Sequence, residues 1–332
     1  MTDPVLVSEY RGDVLENVHT GVVCGINERK EVIFQQGDIK HPTFYRSAMK
    51  PLQAVPVFKS NVIEKYGLTS MEAALFTASH RGESYHQEAL KSVLEKCGLS
   101  EDTLVCHASY PLNDKPKADC IWHHEPERKL YHNCSGKHLG FMACAKENGW
   151  DVATYYEPDH PLQQEILKVV SELTETPVDE IDKGTDGCGA PIYAVPLYNM
   201  ALSYLKFVCP EMIESPETRE AVVDIGQVMN DNPEIVASHQ FVCTELLRDP
   251  NIIAKGGAQG AYCFALRKEK ISFALKVLSG SELVWPNLIA GILEKIDYEN
   301  KDTIERLYAL RSKDIKNDNG KVVGRTVVQL DE

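Results

Sequence analysis

Three absences narrow this sequence first. No two of its ten cysteines stand in Cys-x-x-Cys spacing, so neither a zinc knuckle nor a thioredoxin-type pair is written into one segment. No run of eighteen apolar residues occurs, and the first ten residues hold no basic stretch leading into an apolar one. Neither a membrane span nor a signal peptide is therefore expected. Positive charge is the minority: 35 lysines and arginines against 49 aspartates and glutamates leave a formal net charge of −14. Nucleic acid and anionic membranes are disfavoured as main partners, although a local site can still be cationic. Low-complexity tracts and internal repeats are missing as well. What is left is a globular chain of 332 residues, long enough for one large domain or two. A cytoplasmic location is the expectation, with the cysteines reduced and mostly packed as small apolar side chains.

Residues 5–38 read as strands, with β-branched runs on both sides of the polar turn Asn27-Glu28-Arg29-Lys30 predicting a hairpin. From about residue 51 to 248 the pattern is helical. Thr69 and Glu72 form a capping box for a helix running through Thr77. Ser84 opens a second helix that Cys97-Gly98 ends. Pro161 is the first helical residue before Leu162, Ile166, Val169, Val170 and Leu173, spaced by threes and fours. Ser215-Pro216 begins another, and Pro233 one more that runs to about Arg248. Residues 252–258, 261–266 and 271–277 return to strand character, and a helix from Ser281 to about Ile296 follows. Strands at both ends with helices between predict an α/β fold of the α+β type. A sheet-containing domain would comprise residues 1–70 and 249–332, and residues 71–248 a mostly helical insertion.

Arg46-Ser47-Ala48-Met49-Lys50-Pro51 is the first stretch that looks chemical. Residues three apart share one face of a helix, so a lysine amine can meet a serine hydroxyl there. A serine hydroxyl needs a base to become a nucleophile. A lysine serves only after losing its proton, and the ordinary lysine pKa is about 10.4. Burial or a second cation must favour that loss, so the pair predicts another basic group elsewhere. The bland alternative is a serine cap followed by a surface lysine, with Pro56 breaking or bending the helix little more than a turn later.

Four further stretches stand out. Lys255, before Gly256-Gly257 on a predicted strand, is either the second cation facing a cleft or a strand-edge lysine facing water. Ser79 and His80, where a helix stops, either relay protons or cap the helix. Cys134, in Asn133-Cys134-Ser135-Gly136-Lys137-His138, and Cys188, in Gly184-Thr185-Asp186-Gly187-Cys188-Gly189, each sit in a glycine-containing turn expected to precede a helix. Their thiolates and the neighbouring Asp186 suit zinc, but their spacing alone favours simple packing.

Taken in order, these five segments resemble those of the Rhizobium-type L-asparaginases, the asparaginase II family, and with the flanking hairpins the likeness covers essentially the whole chain. The resemblance implies a fold like that of the serine β-lactamases and glutaminases, and hydrolysis of L-asparagine to L-aspartate and ammonia. By matching position, Ser47 with Lys50 and Ser79 with Lys255 look like the family's two serine–lysine tandems. Cys134, Lys137 and Cys188 look like its zinc ligands, with Asp186 beside a metal-bound water. Arg46, His80 and Asp186 are the expected substrate-binding residues, the amides opening the Ser47 helix are candidate oxyanion donors, and a homodimer is a family-level expectation. Arg81 and Gln259 depart from the pattern, standing where a small and an acidic residue are expected. Another serine–lysine hydrolase (a glutaminase, a β-lactamase or peptidase relative, or an esterase) and a non-enzymatic metal-binding protein are the alternatives.

Overall fold

The computed structural model describes residues 3–330. The chain separates into two compact units, one of Met1–Ala48, Val195–Val208 and Gln240–Glu332, the other of Met49–Ala194 and Cys209–His239. These divisions fall away from residues 70 and 248, where the sequence pattern places them. Three helices account for most of the difference, one being Val242–Leu247, which packs on the strand Ile252–Gly256. The helix Lys50–Lys59 packs on the helices Ser135–Glu147, Pro161–Thr174 and Pro216–Asp231 and so belongs with them. The helix Leu197–Val208 lies against sheet strands, and its Ala201 carbonyl accepts a hydrogen bond from Ser272 Oγ at 2.7 Å. It is apolar on nearly every face, so it needs cover that only a sheet surface in its own unit supplies.

The first unit is built on an antiparallel sheet. Numbered along the chain, its strands are β1 (Val5–Arg11), β2 (Val14–Asn27), β3 (Val32–Gln36), β7 (Ile252–Gly256), β8 (Ala261–Leu266), β9 (Ile271–Val277), β10 (Asp314–Lys316) and β11 (Val322–Val328), while β4 (Pro42–Phe44), β5 (Asp182–Thr185) and β6 (Pro191–Pro196) are not part of this sheet. They run in the order β10-β11-β1-β2-β9-β8-β7, with β3 also paired to β2. The predicted hairpins β2–β3 and β8–β9 are both present, in register Cys24↔Gln35 and Phe264↔Phe273. Every residue of β7 and β8 is buried, because the helices Leu197–Val208 and Val242–Leu247 cover them. The strands β10 and β11 and the helix Lys301–Leu310 were not legible in the periodicity.

The second unit is mostly helical. The Thr69–Glu72 capping box is made in both directions, and it opens the helix Ser70–Ala74, which tightens into the 3₁₀ turn Leu75–Thr77. Helices Ser84–Cys97, Pro161–Thr174 and Pro216–Asp231 begin where their caps predict. Pro56 neither breaks nor ends its helix, which continues to Lys59 with residues 50–57 all buried. Packing on three neighbours outweighs one forfeited backbone bond, as it does for most helices in proteins. The single helix expected from Pro233 to about Arg248 is two short ones, Pro233–Val236 and Val242–Leu247, and the break coincides with the division between units. Residues 182–185 and 191–194 pair as a hairpin inside a region read as helical. No helix among the described residues is long and apolar enough to cross a membrane.

Candidate functional site

In the helical unit, Lys50 begins its helix with none of its surface exposed. Its Nζ donates to the Ala78 carbonyl at 2.5 Å, to Ser79 Oγ at 3.0 Å and, more weakly, to the Asn133 carbonyl at 3.5 Å. Among the described residues no carboxylate pairs with it. The surface-lysine alternative is thereby excluded. A buried amine without an acidic partner is costly, and such groups cluster at functional sites.

Two local features bring Ser79 to that amine. The 3₁₀ turn Leu75–Thr77 closes with the Ala78 amide on the Leu75 carbonyl, and the Ser79 amide is fixed by the Val236 carbonyl at 2.8 Å. Gly136 then lets the helix Ser135–Glu147 rest directly on this turn, since a Cβ there would stand 2.5 Å from the Leu75 carbonyl oxygen. That contact brings the Asn133-Cys134-Ser135 segment beside Lys50. Asn133 is a partner that the sequence did not single out by itself, although its motif was legible.

His80 is fully buried. Ser135 Oγ donates to the Leu130 carbonyl at 2.7 Å, so it accepts from His80 Nε2 at 2.8 Å, and His80 Nδ1 has no partner among the described residues. Burial, helped by the charges near His86 and Lys50, holds the His80 pKa well below the usual histidine value, which leaves the imidazole neutral. His80 therefore supports the Ser79 and Ser135 segments from behind. Arg81 is tied to Asn113 Oδ1 at 2.5 Å, and Asn113 in turn donates to Glu83 and Ser238, so this departure from the pattern is absorbed by the unit's own polar network.

Cys134 caps the helix Ser135–Glu147, as expected, but Cys188 lies at the tip of a β-hairpin turn and precedes a strand. The Asp186 amide donates to the Ala190 carbonyl and Gly189 takes a φ of +89°, which folds the turn back tightly. One donor atom each from Cys134, Asp186 and Cys188 lies within 4.8 Å of the other two. Lys137 Nζ donates to Cys188 Sγ at 3.3 Å. The hydrogen bond from Cys188 draws the Cys134 pKa well below the ordinary thiol value against the effect of burial, and the same bond, with burial, pushes Cys188 up. A side-chain hydrogen bond from His132 adds to this, and His132 Nδ1 also accepts the Cys134 amide at 3.1 Å. Burial lowers the Lys137 pKa, but Cys188, Cys134 and Asp186 outweigh it and raise it overall. Two thiols and a carboxylate within one small radius are a donor set that suits a zinc ion. The Lys137 ammonium, beside Cys188, must lose its proton to act as a ligand.

The remaining candidates belong to the sheet unit. Ser47 lies in the 3₁₀ turn Arg46–Met49, which Tyr45 and Tyr204 hold firmly: Tyr45 is buried with its hydroxyl 2.7 Å from Ser203 Oγ, and Tyr204 donates to the Ala48 carbonyl at 2.8 Å. Arg46 has a left-handed φ of +51°, uncommon for a residue with a side chain. The Ala48 amide is spent on the Tyr45 carbonyl at 3.1 Å, so it is not free to serve as an oxyanion donor. Lys255 lies on the last strand of the sheet but is 1% exposed, which excludes its facing water, and its Nζ donates to the Gly256 carbonyl at 2.7 Å. The boundary between units falls after Ala48. Ser47, Arg46 and Lys255 thus sit in one unit, and Lys50, Ser79, His80 and the thiol cluster in the other.

A family model described as L-asparaginase II matches residues 7–328. No curated protein matches the chain. Among solved structures, a β-lactamase from Mycobacterium bovis aligns at 12% identity over 83% of this chain and 94% of its own, with a TM-score of 0.41. A D-alanine carboxypeptidase from Burkholderia cenocepacia aligns at 13% identity over 87% and 93%, with a TM-score of 0.38.

Proposed function

The chain belongs to the L-asparaginase II family, and from that premise we propose that it hydrolyses L-asparagine to L-aspartate and ammonia by serine–lysine chemistry. The observation that carries the reading is the fully buried Lys50 amine on Ser79 Oγ at 3.0 Å, with no carboxylate among the described residues to neutralise it. Ser47, three residues before Lys50 in the chain, is the nucleophile. Lys50, acting as the neutral amine, takes the proton from the Ser47 hydroxyl as its oxygen bonds to the side-chain amide carbon. Collapse of the tetrahedral adduct breaks the C–N bond, and Ser79 passes a proton toward the departing ammonia. Water then hydrolyses the ester to free the acid and restore Ser47. Lys255 is the second lysine of the mechanism, Arg46 and Asp186 contact the substrate, and His80 positions Ser79.

Cys134, Cys188 and Lys137 would hold zinc, with Asp186 close by, and the bound ion would supply a Lewis-acid anchor for one end of the substrate. We expect purified protein to carry stoichiometric zinc and Cys188→Ser to weaken zinc affinity by at least tenfold, the scale on which even supporting residues act at metal sites. Elemental analysis and the chelator concentration needed to lower Tm check this; metal-free protein with an unchanged Tm in the variant removes zinc from the account. A cytoplasmic homodimer completes the proposal, and light scattering reads the oligomeric state.

Ammonia release from L-asparagine and L-glutamine, run beside nitrocefin cleavage, tests the function. Turnover of L-asparagine above the other two is expected. Nitrocefin cleavage alone would point to a β-lactamase-like hydrolase. No turnover, together with no labelling by a serine-directed reagent, would leave a metal-binding protein without catalysis.

A further inference from the structure

The geometry points to Tyr155 as a positioning residue of the thiol cluster. Its buried hydroxyl fixes the turn that carries Cys188 against the helix that bears Lys137 and is capped by Cys134. This rests on the zinc reading above for what the cluster binds, and on contacts within the helical unit for how the cluster is held. Tyr155 has none of its surface exposed, and its hydroxyl accepts the Val105 amide at 3.1 Å. The hydroxyl proton is then given to His138 Nδ1 at 2.8 Å, which leaves the proton of the neutral imidazole on Nε2. His138 follows Lys137 in the helix Ser135–Glu147. Val105 reaches the other side of the cluster. A Cβ built on Gly189 would stand 3.2 and 3.3 Å from the two Val105 methyl carbons, so that side chain lies directly against the residue after Cys188. One hydroxyl thus joins the support of the Cys188 turn to the helix of the other two candidate ligands.

The arrangement exceeds what core filling requires. The Tyr155 ring meets His138 edge-on with centroids 5.5 Å apart and Phe141 at 6.5 Å, contacts that phenylalanine would keep. The hydroxyl adds direction, because each of its two bonds holds a different segment in one geometry. His138 Nε2 is buried without a partner among the described residues, a cost that an apolar side chain would avoid. Tyr155 is itself anchored, its carbonyl accepting from Gln163 Nε2 at 2.8 Å. The Cys188 turn has weaker holds of its own. The Asp186–Ala190 and Gly189–Asp186 backbone bonds set its shape but not its place, and a Cβ built on Gly187 would meet nothing within 4 Å. Lys129 Nζ ties the Leu104 carbonyl at 2.7 Å, so loss of the Tyr155 hydroxyl should loosen this support without releasing it. Groups that orient ligands from behind in this way set the affinity of a metal site.

The test compares Tyr155→Phe with wild type and with Val222→Ala, a buried truncation on the helix Pro216–Asp231 that controls for destabilisation alone. Zinc affinity, read by competition with a chromophoric chelator, should fall at least about tenfold in Tyr155→Phe and less than about twofold in Val222→Ala. In chelator-treated protein, amide hydrogen exchange over residues 184–191 should accelerate about tenfold in Tyr155→Phe, while exchange over residues 216–231 stays as in wild type. A Tyr155→Phe protein that keeps its zinc affinity within about twofold of wild type, or that changes no more than Val222→Ala in either readout, overturns the proposal. The two readings fail separately. Wild type with no measurable zinc affinity defeats the zinc assignment, and the exchange rates of the metal-free proteins then decide by themselves whether Tyr155 holds the turn.

Discussion

Lys50→Met is expected to lower amide hydrolysis by at least about a thousandfold while leaving stability within about 2 kcal/mol of wild type. The activity estimate follows from the role: a general base contributes roughly 10²- to 10⁴-fold, more when it also activates the nucleophile. The stability estimate follows from burial. Methionine follows the lysine stem to within one atom and removes the cost of holding an amine with none of its surface exposed and no acidic partner among the described residues. Against this stand the Ala78 and Asn133 carbonyls and Ser79 Oγ, which lose a donor, at about 1–3 kcal/mol where the group is buried, as the Ala78 carbonyl is. The two terms roughly offset, so activity and stability part company. Ammonia release and thermal unfolding on the same preparation provide the check. A variant that unfolds well below wild type would assign Lys50 to structure, and one that keeps most of its activity would remove it from the mechanism.

The second large effect separates the serines. Ser47→Ala should abolish turnover, by about 10⁴-fold or more, since the loss of a nucleophile leaves only what substrate binding and oriented dipoles provide. Ser79→Ala should cost less, about 10²- to 10³-fold, the range of a single proton-transfer step. The half-exposed Ser47 tolerates alanine without disturbing Tyr45 or Tyr204, which hold its turn from the backbone side. Mass spectrometry of Ser79→Ala quenched during turnover should show an aspartyl group on Ser47. If the adduct sits on Ser79 of the Ser47→Ala protein instead, the roles are exchanged, because the observed contact of Lys50 is with Ser79.

Much of the chain's local structure could be read directly from its residues, and the reason is that those signals are local. The Thr69–Glu72 box, the αL Gly98 cap and Pro161 at the start of its helix each act within a turn of where they stand. The turn Asn27–Lys30 likewise decides its own hairpin. The hairpin at 182–194 escaped because strands of four and six residues are too short for alternation to outweigh a helical neighbourhood. Pro233 was misread for the opposite reason: its helix signal was real, but the chain turns out of the helix where it passes from one unit to the other.

By itself, then, the sequence determined the family, the order of the five motifs and the covalent spacing of Ser47 and Lys50. Only tertiary structure decided which side of the surface the charged groups fall on. Whether Lys50 and Lys255 face water or the interior depends on helices and strands far away in the chain, and both are buried. The meeting of Cys134 with Cys188 needed the same information, because their donor atoms come together across more than fifty residues by the folding of a helix cap against a hairpin tip. Spacing reports only neighbours along the chain, while burial and charge pairing are properties of what folds against them.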